Sequence, residues 1–305
     1  MFTFGADPEF ILEKDGIAYS SIGIISNKDN CYEEKGHKFY YDNVLAECAI
    51  KPSGYEEEAI VNFRECFKIF SKLIDPYKLS SESANSFSVD QLNHPVAKEV
   101  GCKSEWCAYD LIEVDPPKNA IKNSSFRTAG GHIHLGSDEE PLNNGFGVLF
   151  TIRMLDLFLG LPFVLIEEKT NRRTLYGQAG RHRVTNYGLE YRTLSNHWLK
   201  SPKLVSLVYQ ICSFTLNFVK EGNHFGFWSV NEDLLNDDNP SKAHHCNGYD
   251  IEELKEAINN SDKIKAKKFM LLIENILPSD IVQTLTEEID KKGKYDLYKE
   301  WSIKN

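Results

Sequence analysis

The amino-acid sequence predicts an α+β fold that begins with strands and ends with helices. Residues 2–20 form two apolar stretches around an Asp-Gly turn, and Asp-Gly between apolar runs is typical of a β-hairpin. Apolar residues recur at helical spacing between residues 56 and 74, which predicts an amphipathic helix. From Asp250 onward the pattern indicates three short helices.

The chain is long and apolar enough to bury a large core. It has 305 residues, of which 41% are hydrophobic and 12% are aromatic. Neither a linker composition nor an internal repeat interrupts the sequence. We therefore predict one domain over residues 1–249, with residues 250–305 as a helical extension of the same domain.

Charge and cysteine content indicate which environments suit the protein. The formal net charge of -10 argues against nonspecific wrapping of a nucleic acid, because that requires clustered lysines and arginines. The seven cysteines are scattered, odd in number and not preceded by a signal peptide, which favours reduced thiols. We expect no disulfide and a cytoplasmic location.

The most apolar segment runs from Phe146 to Ile166, but Arg153, Asp156 and Pro162 interrupt it. A membrane-spanning helix needs about 20 predominantly apolar residues, so this segment is predicted to be a buried helix. The sequence contains no P-loop, no Gly-x-Gly-x-x-Gly and no Gly-x-Ser-x-Gly motif. Their absence argues against several nucleotide-binding and hydrolase folds.

The remaining predicted elements are strands at 38–42, 44–50 and 126–136, and helices at 145–159 and from Pro202 onward. Residues 80–125 are rich in Ser, Asn, Pro and charge. They are predicted to form long loops with one strand near 86–89. Long loops in a folded domain are often functional.

Three predicted strands each carry two polar side chains two residues apart within an apolar run. Residues i and i+2 of a strand share one face. A carboxylate at a buried strand position is costly unless a metal, a cation or a donor accompanies it, and imidazole is a common metal ligand. The three pairs are therefore predicted to meet around divalent cations. They are Asp7 and Glu9, His132 and His134, and Glu190 and Arg192.

Each motif taken alone also fits a structural role. A His-x-His strand is equally consistent with two hydrogen-bonded core histidines, and Glu47 is equally consistent with a carboxylate on a solvated strand face. The segment 171–183 carries several arginines, whose planar guanidinium groups suit phosphate or carboxylate, but a solvated basic loop remains an alternative. These arginines are Arg172, Arg173, Arg181 and Arg183.

Four motifs together resemble the type 2 carboxylate-amine ligases of bacteriophages, which belong to the superfamily of glutamine synthetase and glutamate-cysteine ligase. They are Gly-Ala-Asp-Pro-Glu-Phe at 5–10, Gly-Gly-His-Ile-His-Leu-Gly at 130–136, Tyr-Gly-x-x-Gly-x-x-Arg at 176–183 and Gly-Leu-Glu-Tyr-Arg at 188–192. The resemblance spans residues 1 to about 200 and fades beyond them.

The resemblance implies a curved antiparallel sheet that forms an active-site funnel and is backed by helices. It implies ATP and two or three Mg²⁺ or Mn²⁺ ions within the funnel, and Glu57 is a candidate for a further ligand. Metal binding is implied for Asp7, Glu9, Glu47, His132 and Glu190. Catalysis is implied for Arg192, Arg183 and Arg181, and nucleotide contact for His134, Arg173 and Arg192.

The function implied is ATP-dependent joining of a carboxylate to an amine through an acyl phosphate, with release of ADP and phosphate. The expected partners are a small-molecule or peptide carboxylate and an amine donor. No membrane is expected, nor any nucleic acid except as a modified-base substrate, and a homo-oligomer is left open. If the protein is phage-encoded, its location is the host cytoplasm.

Two alternatives belong to other functional classes. A metallohydrolase or oxygenase would use His132, His134 and Glu190 as facial ligands and would bind metal without nucleotide. A noncatalytic phage binding protein with the same fold would bind ATP at most and release no ADP. Against the second alternative, mutually repelling carboxylates have no physical use in an inactive descendant.

Overall fold

The computed structural model describes residues 1–99, 103–122, 124–230, 244–246, 248–291 and 295–303. The predicted α+β class is confirmed, since a large antiparallel sheet and several helices make up the fold. In chain order the strands are β1 (Thr3–Lys14), β2 (Ile17–Tyr19), β3 (Tyr32–Glu34), β4 (His37–Asp42), β5 (Leu45–Ser53), β6 (Lys78–Ser80), β7 (Ala84–Ser86), β8 (Glu105–Cys107), β9 (Ile112–Val114), β10 (Phe126–Thr128), β11 (Gly131–Gly136), β12 (Arg181–Thr185), β13 (Gly188–Tyr191), β14 (Trp228–Val230) and β15 (His244–Cys246).

Across the described residues, the central sheet has eleven strands. Its main order is β3-β4-β5-β1-β11-β13-β12-β8-β9, and β2 and β6 also pair with β1. Every pairing between these strands is antiparallel. Strand β1 therefore lies at the centre, with β5 and β11 on its two sides.

The remaining elements are helices, and the longer ones lie on one face of this sheet. They are α1 (Glu56–Leu73), α2 (Lys118–Lys122), α3 (Gly145–Leu155), α4 (Leu161–Ile166), α5 (Pro202–Lys220), α6 (Ile251–Asn259), α7 (Lys263–Glu274), α8 (Ser279–Asp290) and α9 (Leu297–Glu300). The apolar stripe predicted for α1 packs on the strands, because the Phe10 ring of β1 lies 5.7 Å from Phe67 and the Phe39 ring of β4 lies 5.1 Å from Phe70. Burying these aromatic rings leaves the opposite sheet face to polar side chains.

The most apolar segment forms one long helix in which a π-helical turn, Asp156–Gly160, joins α3 to α4. In the part of the chain that the structure describes, this is the one helix long and apolar enough to cross a membrane, yet its apolar window is entirely buried in the fold. The buried Asp156 carboxylate accepts hydrogen bonds from Tyr191, Thr193 and the Gly180 amide. The π turn is thus fastened to the end of β13.

The predicted strand 126–136 is two strands. Strand β10 pairs with β7 in a separate two-stranded sheet, whereas β11 pairs with β1. The break lies at Gly130, whose amide donates to the Glu9 carboxylate at 2.7 Å and whose carbonyl accepts from the Glu9 amide at 2.9 Å. A Cβ at this position would lie 2.6 Å from His132 Nε2, so the close approach requires glycine.

The predicted long loops at 80–125 contain strands that the sequence pattern did not show. Strands β8 and β9 extend the central sheet. The strand predicted near residues 86–89 is β7, which lies slightly earlier in the chain and ends at Ser86. The Arg-rich segment 171–183, for which a solvated basic loop is the alternative prediction, ends in the first residues of β12. These three- to five-residue strands are too short for an alternating pattern, and pairing with a neighbour defines them.

The C-terminal helices pack against the long central helices. Helices α6, α7 and α8 contact α4, and α8 also contacts α5. Beyond α9, the Trp301 indole donates to the Leu199 carbonyl at 2.7 Å and stacks on Phe63. The division of the chain at residues 249 and 250 stays a prediction.

Candidate active site

The polar face of the central sheet carries the side chains of all three predicted pairs. Directly opposed residues of antiparallel strands share a face, as do residues two apart on one strand. The register opposes Asp7 to His132, Glu9 to Glu47, His134 to Glu190, and Glu190 to Arg183. Side chains that are distant in sequence are therefore neighbours on one surface.

One cluster on this face consists of Asp7, His134 and Glu190, each of which offers a ligand atom within 4.8 Å of the others. Asp7 Oδ1 and His134 Nε2 approach to 3.0 Å, yet neither atom has a hydrogen bond with suitable geometry. His134 Nδ1 makes a short contact with the Tyr187 hydroxyl. The imidazole is thus oriented by Tyr187 with its other nitrogen directed at Asp7.

His132 lies at the rim of this cluster. Its Nδ1 atom is 3.3 Å from Asp7 Oδ1, 3.5 Å from Glu190 Oε1 and 3.3 Å from Arg192 Nη1. The ligand-like grouping includes His134 and not His132, which is the reverse of the order implied by the resemblance. Both imidazoles contact Asp7, so the metal role of His132 and the nucleotide role of His134 stay predictions.

A second cluster consists of Glu9, Asp42 and Glu47, again with ligand atoms within 4.8 Å of one another. Glu47 is 4% exposed and accepts a hydrogen bond from the Tyr40 hydroxyl at 2.8 Å. The Lys28 ammonium lies 3.8 Å from the Glu47 carboxylate. Three carboxylates therefore share one small volume with a single nearby ammonium group, among the described residues, at ion-pair distance.

The two clusters differ in their electrostatics. Burial and the carboxylates of Asp7, Asp42 and Glu9 raise the pKa of Glu47 well above its ordinary value. At Asp7, burial opposes ionisation, but the imidazoles of His134 and His132 hold the pKa of the carboxyl well below its ordinary value. The first cluster is thus balanced by histidine, whereas in the second the Lys28 ammonium does not offset burial and the repulsion between the carboxylates.

Arg192 lies between two carboxylates on the same face. Its Nε atom donates to Glu105 at 2.7 Å and its Nη1 atom donates to Glu190 in a short contact. Although burial favours the neutral acid, Arg192 lowers the pKa of Glu190. Glu105 belongs to β8, so the strand that the sequence pattern missed holds one side of this guanidinium group.

The other arginines of the Arg-rich segment take different positions. Arg183 places Nη1 3.5 Å from both Glu190 oxygens, while its Nε and Nη2 atoms donate to backbone carbonyls. Arg181 Nε lies 3.7 Å from Glu105, and its Nε and Nη1 atoms are buried without a hydrogen bond. Both side chains lie beside the Glu190–Arg192–Glu105 chain of charges.

Arg173 lies away from this face. Its guanidinium donates to the carbonyls of Gly177 and Thr193, to Ser261 and to Glu167. The neighbouring Arg172 donates through all three of its nitrogens to backbone carbonyls. Both side chains therefore have structural contacts, and the predicted contact of Arg173 with a nucleotide has no support from its position.

Two cavities border the clusters. Cavity A is narrow, with a volume of about 50 Å³, and is lined in part by Glu9, Asp42, His132 and Arg192. Cavity B has a volume of about 520 Å³ and is lined by residues that include Asp7, His134, Lys38 and Tyr187. The volume of cavity B falls in the range of small-molecule sites. The charged clusters thus lie where two separate spaces approach the same sheet face.

The donor sets fit bound divalent cations. Three carboxylates form the second cluster and two carboxylates with one imidazole form the first, and oxygen-rich sets of this kind suit Mg²⁺ or Mn²⁺. Asp7 Oδ1 and His134 Nε2 are buried polar atoms without a hydrogen bond, as expected of ligand atoms. A cation would also relieve the repulsion that raises the pKa of Glu47.

A family model described as "Phage phiEco32-like COOH.NH2 ligase-type 2" matches residues 85–303, more than two thirds of the chain. The chain belongs to this family. Among curated proteins, no sequence matches it. The predicted relation to the phage type 2 carboxylate-amine ligases is confirmed, but the expectation that the resemblance fades past residue 200 is wrong, because the match includes the C-terminal helices.

Sequence reasoning missed two acidic side chains of this ligase-family member. Asp42, and not the exposed Glu57, joins Glu9 and Glu47. Two residues of β4, Tyr40 and Asp42, share the face of Glu47 because Tyr40 opposes Glu47 in the register. The signal was an acidic residue at the end of a predicted strand next to the strand of Glu47. Glu105 had no such signal, because β8 was predicted as loop.

Proposed function

We propose that the protein is an ATP-dependent, divalent-metal-dependent ligase that joins a carboxylate to an amine. The carboxylate attacks the γ-phosphorus of ATP, which forms an acyl phosphate and releases ADP. The amine then attacks the acyl carbon, and phosphate and a proton leave. The observation that carries the proposal is the convergence of two carboxylate clusters and Arg192 between two cavities, in a chain of the carboxylate-amine ligase family.

The two clusters would each hold a cation, with Asp7 and Glu9 directing one carboxylate to each. When bound, the cations supply positive charge that neutralises the triphosphate and the transferred phosphoryl group. Glu9 and Glu47 are held by the Gly130 amide and the Tyr40 hydroxyl, so their carboxylates are already oriented. This preorganisation supports binding rather than a solely structural role.

Arg192 is the side chain we assign to the phosphoryl group during transfer. Glu105 fixes its Nε atom at 2.7 Å and Glu190 fixes its Nη1 atom, so the guanidinium plane is set before substrate arrives. Arg183 adds a second guanidinium group 3.5 Å from Glu190. A planar fork of donors of this kind matches the oxygens of a phosphoryl group.

Cavity B is the better space for ATP. It is the larger of the two, and Lys38 and Tyr187 among its lining residues supply a cation and an aromatic ring. Asp7 and His134 lie at its edge, next to the first cluster. Cavity A would then present the carboxylate to the γ-phosphoryl group from the side of Glu9 and Arg192.

The proposal is tested by incubating the protein with ATP, Mg²⁺ or Mn²⁺ and pools of carboxylic acids and amines. ADP release and new masses are then followed. We expect Glu190→Gln and His132→Ala to abolish metal-dependent ADP formation while the circular dichroism spectrum is unchanged. Glu113→Gln is the matched control, because Glu113 is exposed on β9 and lies outside both clusters.

Near-normal ADP formation by either site variant would show that the clusters are not the metal site of a ligase. Metal binding without any binding of ATP would favour the hydrolase or oxygenase alternative. ATP binding without ADP release in any pool would favour a noncatalytic protein.

A further inference from the structure

Lys28 lies beside the second cluster but belongs to none of the four sequence motifs. Its ammonium nitrogen is 3.8 Å from Glu47 Oε1 and 4.9 Å from the centre of the Tyr40 ring. The distance to Glu47 is that of an ion pair and is too long for a hydrogen bond. Tyr40 lines cavity B and donates to Glu47, so the ammonium group lies where cavity B meets the second cluster.

The backbone at Lys28 is fixed to the sheet, while its side chain is exposed. Lys28–Asn30 forms a 3₁₀ turn that contacts β4. Just before this turn, the Ser26 carbonyl accepts a hydrogen bond from the Tyr41 amide of β4 at 2.9 Å. The Lys28 side chain is nevertheless 69% exposed. Its flexible stem can therefore redirect the ammonium group without any change in the backbone.

The positive charge of Lys28 acts on both clusters. Although burial opposes the charged form, carboxylates of both clusters raise the pKa of Lys28. They belong to Glu47 and Asp42 in the second cluster and to Asp7 and Glu190 in the first. The ammonium group is therefore charged at neutral pH and within electrostatic range of both clusters.

Cationic side chains approach the clusters from two sides of the sheet. Arg183 lies on β12 and Arg192 directly follows β13, whereas Lys28 lies against β4. The strand order β4-β5-β1-β11-β13-β12 places the strands of the carboxylates between them. Arg192 is held by hydrogen bonds to Glu105 and Glu190, whereas Lys28 breaks no hydrogen bond to Glu47 when it turns to another anion. A compact ammonium group also binds phosphate as a point charge, without a fixed direction of approach.

We propose that Lys28 is a phosphate-binding residue, which exchanges its ion pair with Glu47 for contacts with the terminal phosphates of the nucleotide. The inference rests on the proposed function, because that function places the triphosphate in cavity B, beside Tyr40. Glu47 attracts the ammonium group less when it shares its charge with a cation, which favours the exchange. Lys28 and Arg192 would then contact the phosphates from opposite sides.

The test is calorimetric titration of full-length Lys28→Met, which removes the charge and keeps an apolar stem over the Tyr40 ring. The probes are Mn²⁺ alone, and tripolyphosphate and a non-hydrolysable ATP analogue as their Mn²⁺ complexes. We expect Mn²⁺ alone to bind about threefold more tightly than to wild type, because a repelling ammonium group is removed. We expect both triphosphate probes to bind about tenfold more weakly, because a charged contact is lost.

Two further variants serve as controls. Lys28→Arg keeps the charge and should bind both triphosphate probes nearly as tightly as wild type. Lys220→Met is the matched surface control, because Lys220 is half exposed, lies 3.2 Å from Glu139 in an ion pair and is outside the linings of both cavities. It should leave all three affinities unchanged.

Opposite changes in the affinities for Mn²⁺ and triphosphate distinguish a phosphate-binding residue from a structural one, whose loss would weaken both. Wild-type affinity of Lys28→Met for the two triphosphate probes overturns the inference and leaves the ligase proposal standing, as does weaker binding of Mn²⁺ alone. If wild type binds tripolyphosphate through Lys28 but does not bind the ATP analogue, the inference holds and the ligase proposal fails. If wild type binds neither triphosphate probe, both fail.

Discussion

The substitution Glu47→Gln distinguishes between two roles of Glu47, that of a metal ligand and that of a purely structural carboxylate. The amide oxygen of glutamine can still accept the hydrogen bond that the Tyr40 hydroxyl gives to Glu47 at 2.8 Å, so the shape of the site is retained. What is removed is the group that adds a third negative charge to the second cluster when it ionises. In the absence of metal we expect the variant to be more stable than the wild type, because the removed charge was repelled.

The size of this effect follows from the geometry. Carboxylate oxygens of Glu47, Glu9 and Asp42 lie within 4.8 Å of one another. At that separation a like-charged pair costs about 3.5 kcal/mol at an effective dielectric constant of 20 and about 0.9 kcal/mol in bulk water. Because Glu47 can take up a proton instead of bearing the full repulsion, we expect a gain of about 2 kcal/mol at neutral pH. With roughly 2.1 cal/mol/K of unfolding entropy per residue over 305 residues, the melting temperature rises by about 3 °C.

The pH dependence has a defined sign. The pKa of Glu47 is raised in the folded protein, so its unfavourable contribution is absent below the ordinary value of 4.5 and grows as pH rises through the folded pKa. The stability difference between variant and wild type should therefore be small near pH 4 and largest at neutral pH.

The assay is calorimetric melting in a chelator and in increasing Mn²⁺. We expect Mn²⁺ to raise the melting temperature of the wild type in a saturable manner and to have much less effect on Glu47→Gln. Glu113→Gln, at an exposed position, should behave as wild type in both conditions. A variant that is less stable than wild type in chelator, or that is stabilised by Mn²⁺ as strongly as wild type, would refute the reasoning.

Three further predictions concern neighbouring features. Arg192→Lys should reduce ADP formation more than it lowers the melting temperature, because one ammonium group cannot hold Glu105 and Glu190 and also offer a fork of donors. Comparable losses of ADP formation and of melting temperature would count against the assigned role. Gly131→Ala should destabilise the protein by about 1–3 kcal/mol in denaturant titration, since its Cβ would lie 2.5 Å from the Ser195 carbonyl, whereas Gly145→Ala, with open space around it, should not. Burial and the charges of Lys200 and Lys263 lower the pKa of His197 from 6.5 to about 3, so on acidification the unfolded chain binds a proton that the folded protein does not. Between pH 7 and pH 5 the wild type should therefore lose about 2 kcal/mol more stability than His197→Gln. Parallel pH profiles of stability for the two proteins would contradict this.

The first cluster could be anticipated from local sequence because the apolar pattern predicts each of its strands. Asp7, His134 and Glu190 lie in apolar runs long enough to indicate a strand, and alternation then fixes which side chains share a face. Which strands are neighbours is a property of the fold. The cost of a buried carboxylate predicted that the three pairs meet, but it did not give the strand order, which follows from the pairing of β11 with both β1 and β13.

The second cluster was only partly predictable, for a different physical reason. Asp42 ends β4 next to a tight turn at Asn43, whose φ is 53°, so an acidic residue there equally fits turn chemistry. Its role depends on the register that opposes Tyr40 to Glu47. Arg173 shows the converse: a local density of arginine indicated an anion, but backbone carbonyls near Thr193 took up its donors instead.

The family match begins at residue 85, yet the site does not. Asp7 and all three carboxylates of the second cluster precede the matched segment, whereas His134 and Glu190 lie within it. Strand β1 lies between β5 and β11, so it is the element that joins the two parts of the site. A candidate ligand for each cluster comes from this one strand, from Asp7 and from Glu9, two residues apart. The spacing of the two clusters is therefore set by the geometry of a single strand, and replacing Asp7 by Glu, which lengthens one carboxylate by a methylene without moving Glu9, should alter Mn²⁺ binding at the first cluster while the second is unchanged.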